Sequence, residues 1–298
     1  MSTATPSAKA IAKPPAKAVR RSHSSSFLYD EPGPRARRRI RLASVLSVLA
    51  LLGLLAAALA QFASRGQLDA DRWTPFAQWA IWNYLIVGLW GTVKAAAVVA
   101  VIASAAGVVL ALARLSHQRP VRWVATAWIE IARTLPVLLL IYLMLFGLPA
   151  YGINLPLLWK LAMPLAIANS AVVAEIVRAG ILSLPRGQAE AGASLGMTRW
   201  QVMRHVELPQ ALRTVTPSLV TQLVSLLKDT SLGYVVAYTE LLYRAQVLSA
   251  YNRLLIQTFL VVALVYFVCN GSLSYLASRL RVRAGHRSAA GELETTRG

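Results

Sequence analysis

Long apolar stretches almost free of charge run through this chain, and they decide what it can fold into. Residues 42–64, 134–159 and 254–278 contain no Asp, Glu, Lys or Arg. Residues 73–113 contain Lys94 alone, 161–184 contain Glu175 and Arg178, and 214–239 contain Lys228 and Asp229. A bilayer core about 30 Å thick needs roughly 20 apolar residues of helix. In lipid an unpaired backbone group is costly, so such spans are helical. The pattern predicts an all-α membrane protein with about six transmembrane helices. They fall near 42–64, 84–113 and 125–148, then from 161 to Leu184-Pro185, over an interrupted 214–239, and at 254–278. Trp79, Trp82 and Tyr84 read as an aromatic belt at one interface.

Charge explains what these spans exclude. Only 14% of the residues are charged, with 31 Lys+Arg against 12 Asp+Glu. A soluble domain carries roughly 25%, so a soluble enzyme does not fit. Nor does a nucleic-acid-binding tail protein, because such chains are poor in apolar residues; no nucleic-acid partner is expected. Lys and Arg sit in blocks, and cytoplasmic loops collect them. With six spans and both termini in the cytoplasm, the inner segments hold 24 of them and the outer segments five. The expectation is therefore a multi-pass protein of the cell membrane with both termini inside.

Residues 1–41 are rich in Ala, Lys, Pro, Ser and Arg without apolar periodicity, the composition of a disordered cytoplasmic tail. Its last part, Arg35, Arg37, Arg38, Arg39 and Arg41, abuts the first span and would meet anionic lipid headgroups. Ala58-Leu59-Ala60 resembles a signal-cleavage site, but the apolar run before it is longer than a signal core. Residues 284–298 form a second cytoplasmic tail.

Catalytic chemistry is not legible. The sequence has no Gly-x-x-x-x-Gly-Lys-Ser/Thr run to cradle ATP phosphates. Its four His and single Cys lack metal-ligand spacing, so no cofactor is expected on this chain. Cys269 reads as a small packing residue. Six spans and one large polar loop suggest a transport component driven from elsewhere.

That loop, residues 186–213, reads RGQAEAGASLGMTRWQVMRHVELPQALR. Helical pattern runs from Gly187 to Leu195, breaks at Gly196, and resumes from Thr198 to about Val206. Gly196 suits a turn because glycine takes positive φ without steric cost. Thr198 can cap the second helix by accepting a bond from an early backbone N–H. Trp200, Met203 and Leu208 offer apolar anchors; Glu190, Arg199 and Arg204 offer charge. Two readings fit: a helix pair that docks into a partner's groove, and an amphipathic loop resting on the membrane.

Glu190-Ala191-Gly192, Gly196 and Val206-Glu207-Leu208-Pro209 resemble the "EAA" loop of ABC-transporter permeases, with Gly192 in place of Ala and Val206 in place of Ile. Asn169 and Ala174-Glu175-Ile176-Val177-Arg178-Ala179-Gly180-Ile181 resemble the helix before that loop in permeases for polar amino acids. So do Arg133-Thr134-Leu135-Pro136, Pro185-Arg186-Gly187-Gln188, Leu208-Pro209-Gln210-Ala211 and Leu226-Leu227-Lys228-Asp229-Thr230-Ser231-Leu232. The resemblance covers about residues 84–283. It implies a five-span permease core, with the helix at 42–64 added to it. It further implies a coupling loop at 186–208, carried by Glu190, Ala191, Gly192, Gly196, Arg199, Leu208 and Pro209. The implied partners are a cytoplasmic pair of ATPase subunits that bind ATP and Mg, a second identical or homologous permease, and an extracytoplasmic solute-binding protein.

Polar groups inside the spans are the candidate pathway or gate. Glu175 and Arg178, at i and i+3, share a helix face and form either a structural ion pair or a gate. Lys228 and Asp229 are neighbours that cannot face each other on a helix. They pair with other helices or mark an unwound turn, where Thr230 and Ser231 could satisfy freed backbone groups. Lys94 lies about 15 Å into its helix, either snorkelling or facing the pathway, where a cation would favour an anionic cargo such as glutamate. Asn169 completes the set. A proton-coupled secondary transporter relaying through Glu175, Lys228 and Asp229, or a membrane-anchored scaffold, are the rival functions.

Overall fold

The computed structural model describes residues 33–295 and divides at Arg65 into two compact units. The expected tail over 1–41 and the last part of the tail at 284–298 lie largely outside the described residues. In the first unit, α1 (Pro34–Ser64) is one uninterrupted helix. It starts eight residues before the expected span, so Arg35 to Arg41 form its first two turns. Proline at its first position costs nothing, because the missing N–H would be unpaired there. Leu46, Leu51 and Leu54 are exposed, as side chains meant for lipid would be.

The second unit is helical throughout, with no strand among the described residues. After two short 3-10 turns comes α2 (Trp79–Arg114), five residues longer at its start than the sequence pattern suggests. Small residues dominate its buried face: Gly88, Gly91, Thr92, Ala95, Ala103, Gly107 and Ala111, with Ile81, Leu85 and Val99 beside them. Small residues let membrane helices approach closely. A Cβ on Gly107 would sit 2.6 Å from Val173 of α6 (Leu157–Leu182).

The expected helix at 125–148 is not one helix. Its chain forms α3 (Arg119–Thr134) and α4 (Val137–Tyr142), which meet at 95°. Pro136 is the physical cause: the residue before a proline is pushed out of the helical region, and Leu135 has φ −75° and ψ 130°. The second limb continues through a π turn into α5 (Leu148–Ala150).

From α6 the chain enters α7 (Arg186–Ser194) and α8 (Arg199–Val202), then passes a π turn into α9 (Leu208–Asp229). The interruption expected at Lys228-Asp229 is real: α9 ends there, and a 3-10 segment runs from Thr230 to Val236. A helix absent from the sequence reading, α10 (Leu241–Asn252), precedes α11 (Leu255–Thr295). Among the described residues, α1, α2, α6 and α11 are each long and apolar enough to cross a membrane, and the bent α3/α4 pair brings the total up to five.

Candidate functional site

Two places concentrate polar chemistry: the bent loop between α6 and α9, and a cavity lined by those same two helices.

In the loop, α7 closes with a glycine turn. Gly196 has φ +77°. Its N–H donates to Ala193 O at 3.0 Å, and Met197 N–H reaches back to Gly192 O at 3.2 Å. This pair of bonds satisfies carbonyls that a helix end would otherwise leave unpaired. One residue later Thr198 caps α8: its Oγ1 accepts from Gln201 N–H, while Gln201 Oε1 accepts from Thr198 N–H at 2.7 Å. The two helices press together where Gly192 is buried against Val202. Gln210 on α9 donates to Gln188 on α7 at 3.1 Å, bracing the loop against the helix that follows it.

The outward side of the loop carries Glu190, Ala191, Arg199, Trp200 and Pro209, all exposed. Glu190 and Arg199 make no side-chain hydrogen bond or ion pair among the described residues. Leu195 is 82% exposed and Trp200 59%. Of the three apolar anchors expected here, only Trp200 points out. Met203 and Leu208 turn inward onto the cluster formed by Ala111, Ile129, Ile181 and Ala211. Leu195 takes their place as the second apolar knob. Nothing in its spacing marked it, because the turn at Gly196 sets its direction.

The cavity, about 210 Å³, is lined by Arg133, Asn169, Val172, Gln222 and Asp229 together with Leu135 and Val137 at the α3/α4 bend. Asn169 is buried; it donates to Leu165 O at 2.8 Å and accepts from Gln222 Nε2 at 2.7 Å. Arg133 and Gln222 join the expected pathway residues here. Only Asn169 and Asp229 of that expected set line the cavity. Lys228 faces away, into a groove of about 630 Å³ with Phe259, Tyr266 and Asn270. Thr230 is fully buried and donates to Leu227 O at 2.7 Å, satisfying a carbonyl freed where α9 ends. Lys94 is exposed on α2, apart from the cavity.

Beside the cavity lies a five-residue ion cluster. Arg178 grips Glu175 with two bonds of 3.1 Å. Arg114 from α2 also pairs with Glu175 and reaches Glu130 of α3 at 3.1 Å, while Arg133 lies 3.9 Å from Glu175. The expected i,i+3 pair is therefore part of a larger junction tying α2, α3 and α6, with one cation in excess.

Residues 103–282 match the model of a family described as the binding-protein-dependent transport system inner membrane component. The chain belongs to that family. It is similar to the glutamate transport system permease protein GluD of Corynebacterium glutamicum, 40% identical over 229 residues, covering 74% of this chain and 83% of that protein. It also resembles the probable glutamine ABC transporter permease protein GlnP of Bacillus subtilis, 43% identical over 158 residues, covering 52% and 72%. A crystal structure of an amino acid ABC transporter with histidines matches with a TM-score of 0.64 and 32% identity, covering 72% of this chain and 97% of that one. The chain is thus an ABC permease, a transport subunit and not an ATPase. The secondary-transporter and scaffold readings fall away with this membership.

Proposed function

We propose that this permease serves an ATP-driven importer of polar amino acids, with glutamate as cargo. The supporting observation is the continuity between loop and cavity. The α7/α8 pair joins α6 directly to α9, and these two helices contribute Asn169 and Gln222 to the cavity wall. A force on Leu195 and Trp200 would therefore reach the walls as a rigid-body movement. Closure of a partner ATPase pair biases the permease only if it fits one of its states better than the other.

In this reading Glu190, Ala191, Gly192, Gly196, Arg199, Leu208 and Pro209 form the coupling element, Leu208 from the inside. ATP and Mg sit on the partner ATPase. A second permease, identical or homologous, completes the pathway, and a solute-binding protein delivers cargo from outside. Glutamate is favoured by the likeness to GluD and by the excess cation beside the cavity. Both termini lie in the cytoplasm, and α1 is an added span before a core at 84–283 whose five spans are α2, the α3/α4 pair, α6, α9 with the 3-10 segment after it, and α11.

The test is uptake by vesicles holding the permease, its co-purified ATPase and the binding protein. Glutamate uptake should require internal ATP. Uptake by the permease alone under a proton gradient would overturn the reading. For orientation, a reporter active only in the cytoplasm should be active after Trp200 and at Gly298, and silent near Gly152.

A further inference from the structure

The orthogonal helix α3 has three distinct faces. Ala125, Ile129 and Ala132 are buried. They pack in a cluster that includes Ala111 near the end of α2, Ile181 near the end of α6 and Ala211 at the start of α9. A second face carries Val121, Val124, Trp128 and Ile131, all exposed. The third carries Arg119, Arg122, Thr126, Glu130 and Arg133.

α3 begins five residues after α2 ends at Arg114. Arg114, the last residue of α2, reaches Glu130 at 3.1 Å, while Arg133 and Leu135 line the cavity with Asn169, Gln222 and Asp229. The first turns of α3 therefore lie near the end of α2, and its last turn lies at the cavity, before the 95° bend. A helix end that carries arginines and a tryptophan beside an apolar flank suits a membrane interface.

At its first turns Arg119, Pro120, Arg122, Trp123 and Thr126 line an open cleft. Trp123 is 75% exposed, and neither arginine is held by an acid among the described residues. We propose that this cleft binds the phosphate headgroup of an anionic phospholipid, between Arg119 and Arg122, with Trp123 at the headgroup level and Val124, Trp128 and Ile131 against the acyl chains. Charge complementarity selects this occupant: two unpaired cations meet a lipid surface that is anionic, beside an aromatic ring of the kind that settles at interfaces. The same helix carries Glu130 and Arg133 into the ion cluster and the cavity wall, so lipid bound at one end steadies α3 where the cavity begins. The proposal goes beyond the import reading and needs only that the chain lies in a membrane.

The full chain is reconstituted in phosphatidylcholine vesicles with and without phosphatidylglycerol, using brominated versions of either lipid as quenchers. The Trp123 signal is the wild-type fluorescence minus that of Trp123→Phe. Brominated phosphatidylglycerol should quench it much more strongly than brominated phosphatidylcholine. Arg119→Gln with Arg122→Gln should remove that preference, a loss on the order of 30-fold in local enrichment for two cations at the surface. Arg119→Lys with Arg122→Lys should retain most of it. Excess inorganic phosphate should leave the preference intact. Equal quenching by the two lipids, a preference abolished by inorganic phosphate, or a Trp123 shielded from both quenchers by a second protein copy would each overturn the proposal. Loss of glutamate uptake with the lipid preference intact would count against the import reading alone.

Discussion

Gly192 on α7 and Val202 on α8 are packed so closely that a Cβ on Gly192 would stand 2.8 Å from Val202 Cγ2. A β-carbon at this position does not fit unless Val202 shifts. The first prediction follows as a pair. Gly192→Ala should loosen the α7/α8 contact and lower the amount of ATPase that co-purifies. Val202→Ala in the same chain should restore it, since the clash is with that side chain. Neighbouring residues couple in double-mutant cycles by about 0.5–3 kcal/mol. Additive losses in the double variant would show that the contact does not shape the docking surface.

Gly196 offers a different test, because a Cβ there meets nothing within 4 Å. Its demand is conformational only: φ is +77°. Valine at such an angle costs on the order of 1–3 kcal/mol. That is small beside the burial in the bundle, so Gly196→Val should insert and accumulate normally. It is large beside a docking equilibrium, where 1.4 kcal/mol is tenfold. Uptake and co-purified ATPase should both fall at near-normal membrane abundance. Full uptake would mean the loop carries no coupling.

What the sequence disclosed was local, and what it hid was distant or orthogonal. Gly196 and Thr198 were legible because turn and cap chemistry acts within four residues. The break at Leu135-Pro136 was missed because an uncharged run through 134–159 reads as one span, although Pro136 was its signal. Met203 and Leu208 were expected outside because amphipathic pattern gives a face and not the direction that face points. Gln222 and Arg133 join Asn169 across 53 and 36 positions of chain, which no spacing rule reaches. Lys228 and Asp229 are adjacent and cannot face each other on a helix, and only the packed helices assign one to the groove and the other to the cavity.

The Asn169–Gln222 bond is the polar bridge between α6 and α9 inside the cavity. Gln222→Leu keeps the bulk but leaves the Asn169 Oδ1 without its donor. An unsatisfied buried polar group costs about 1–3 kcal/mol, so assembly should survive. If the cavity belongs to the amino-acid path, the variant should raise the half-saturating cargo concentration or stop uptake while ATPase co-purification stays normal. Gln222→Asn, shorter by one methylene, should be intermediate. Unchanged uptake in Gln222→Leu would remove this cavity from the pathway.

Glu240 is the last case, a carboxyl with no exposure in the interior of the helical bundle. Its oxygens accept from Leu242 N–H at 2.7 Å, Tyr243 N–H at 2.6 Å and Tyr266 Oη at 3.0 Å, so it caps α10 and ties that helix to α11. The next residue's N–H donates to Thr92 Oγ1 of α2 at 3.1 Å. The close fit needs Gly91, whose Cβ would collide with the carbonyl of Thr239. Glu240→Gln has one acceptor oxygen where two are used, and turns an amide N–H towards a backbone donor. Glu240→Ala loses the cap and the bridge and leaves a hole. Tyr266→Phe loses one bond only. Thermal unfolding of the purified permease should therefore rank Tyr266→Phe as mildest, Glu240→Gln next and Glu240→Ala worst, with the Gln variant destabilised by about 1–3 kcal/mol. Wild-type stability in Glu240→Ala would show that α10 is held by its apolar packing on Leu85 and Val262 alone.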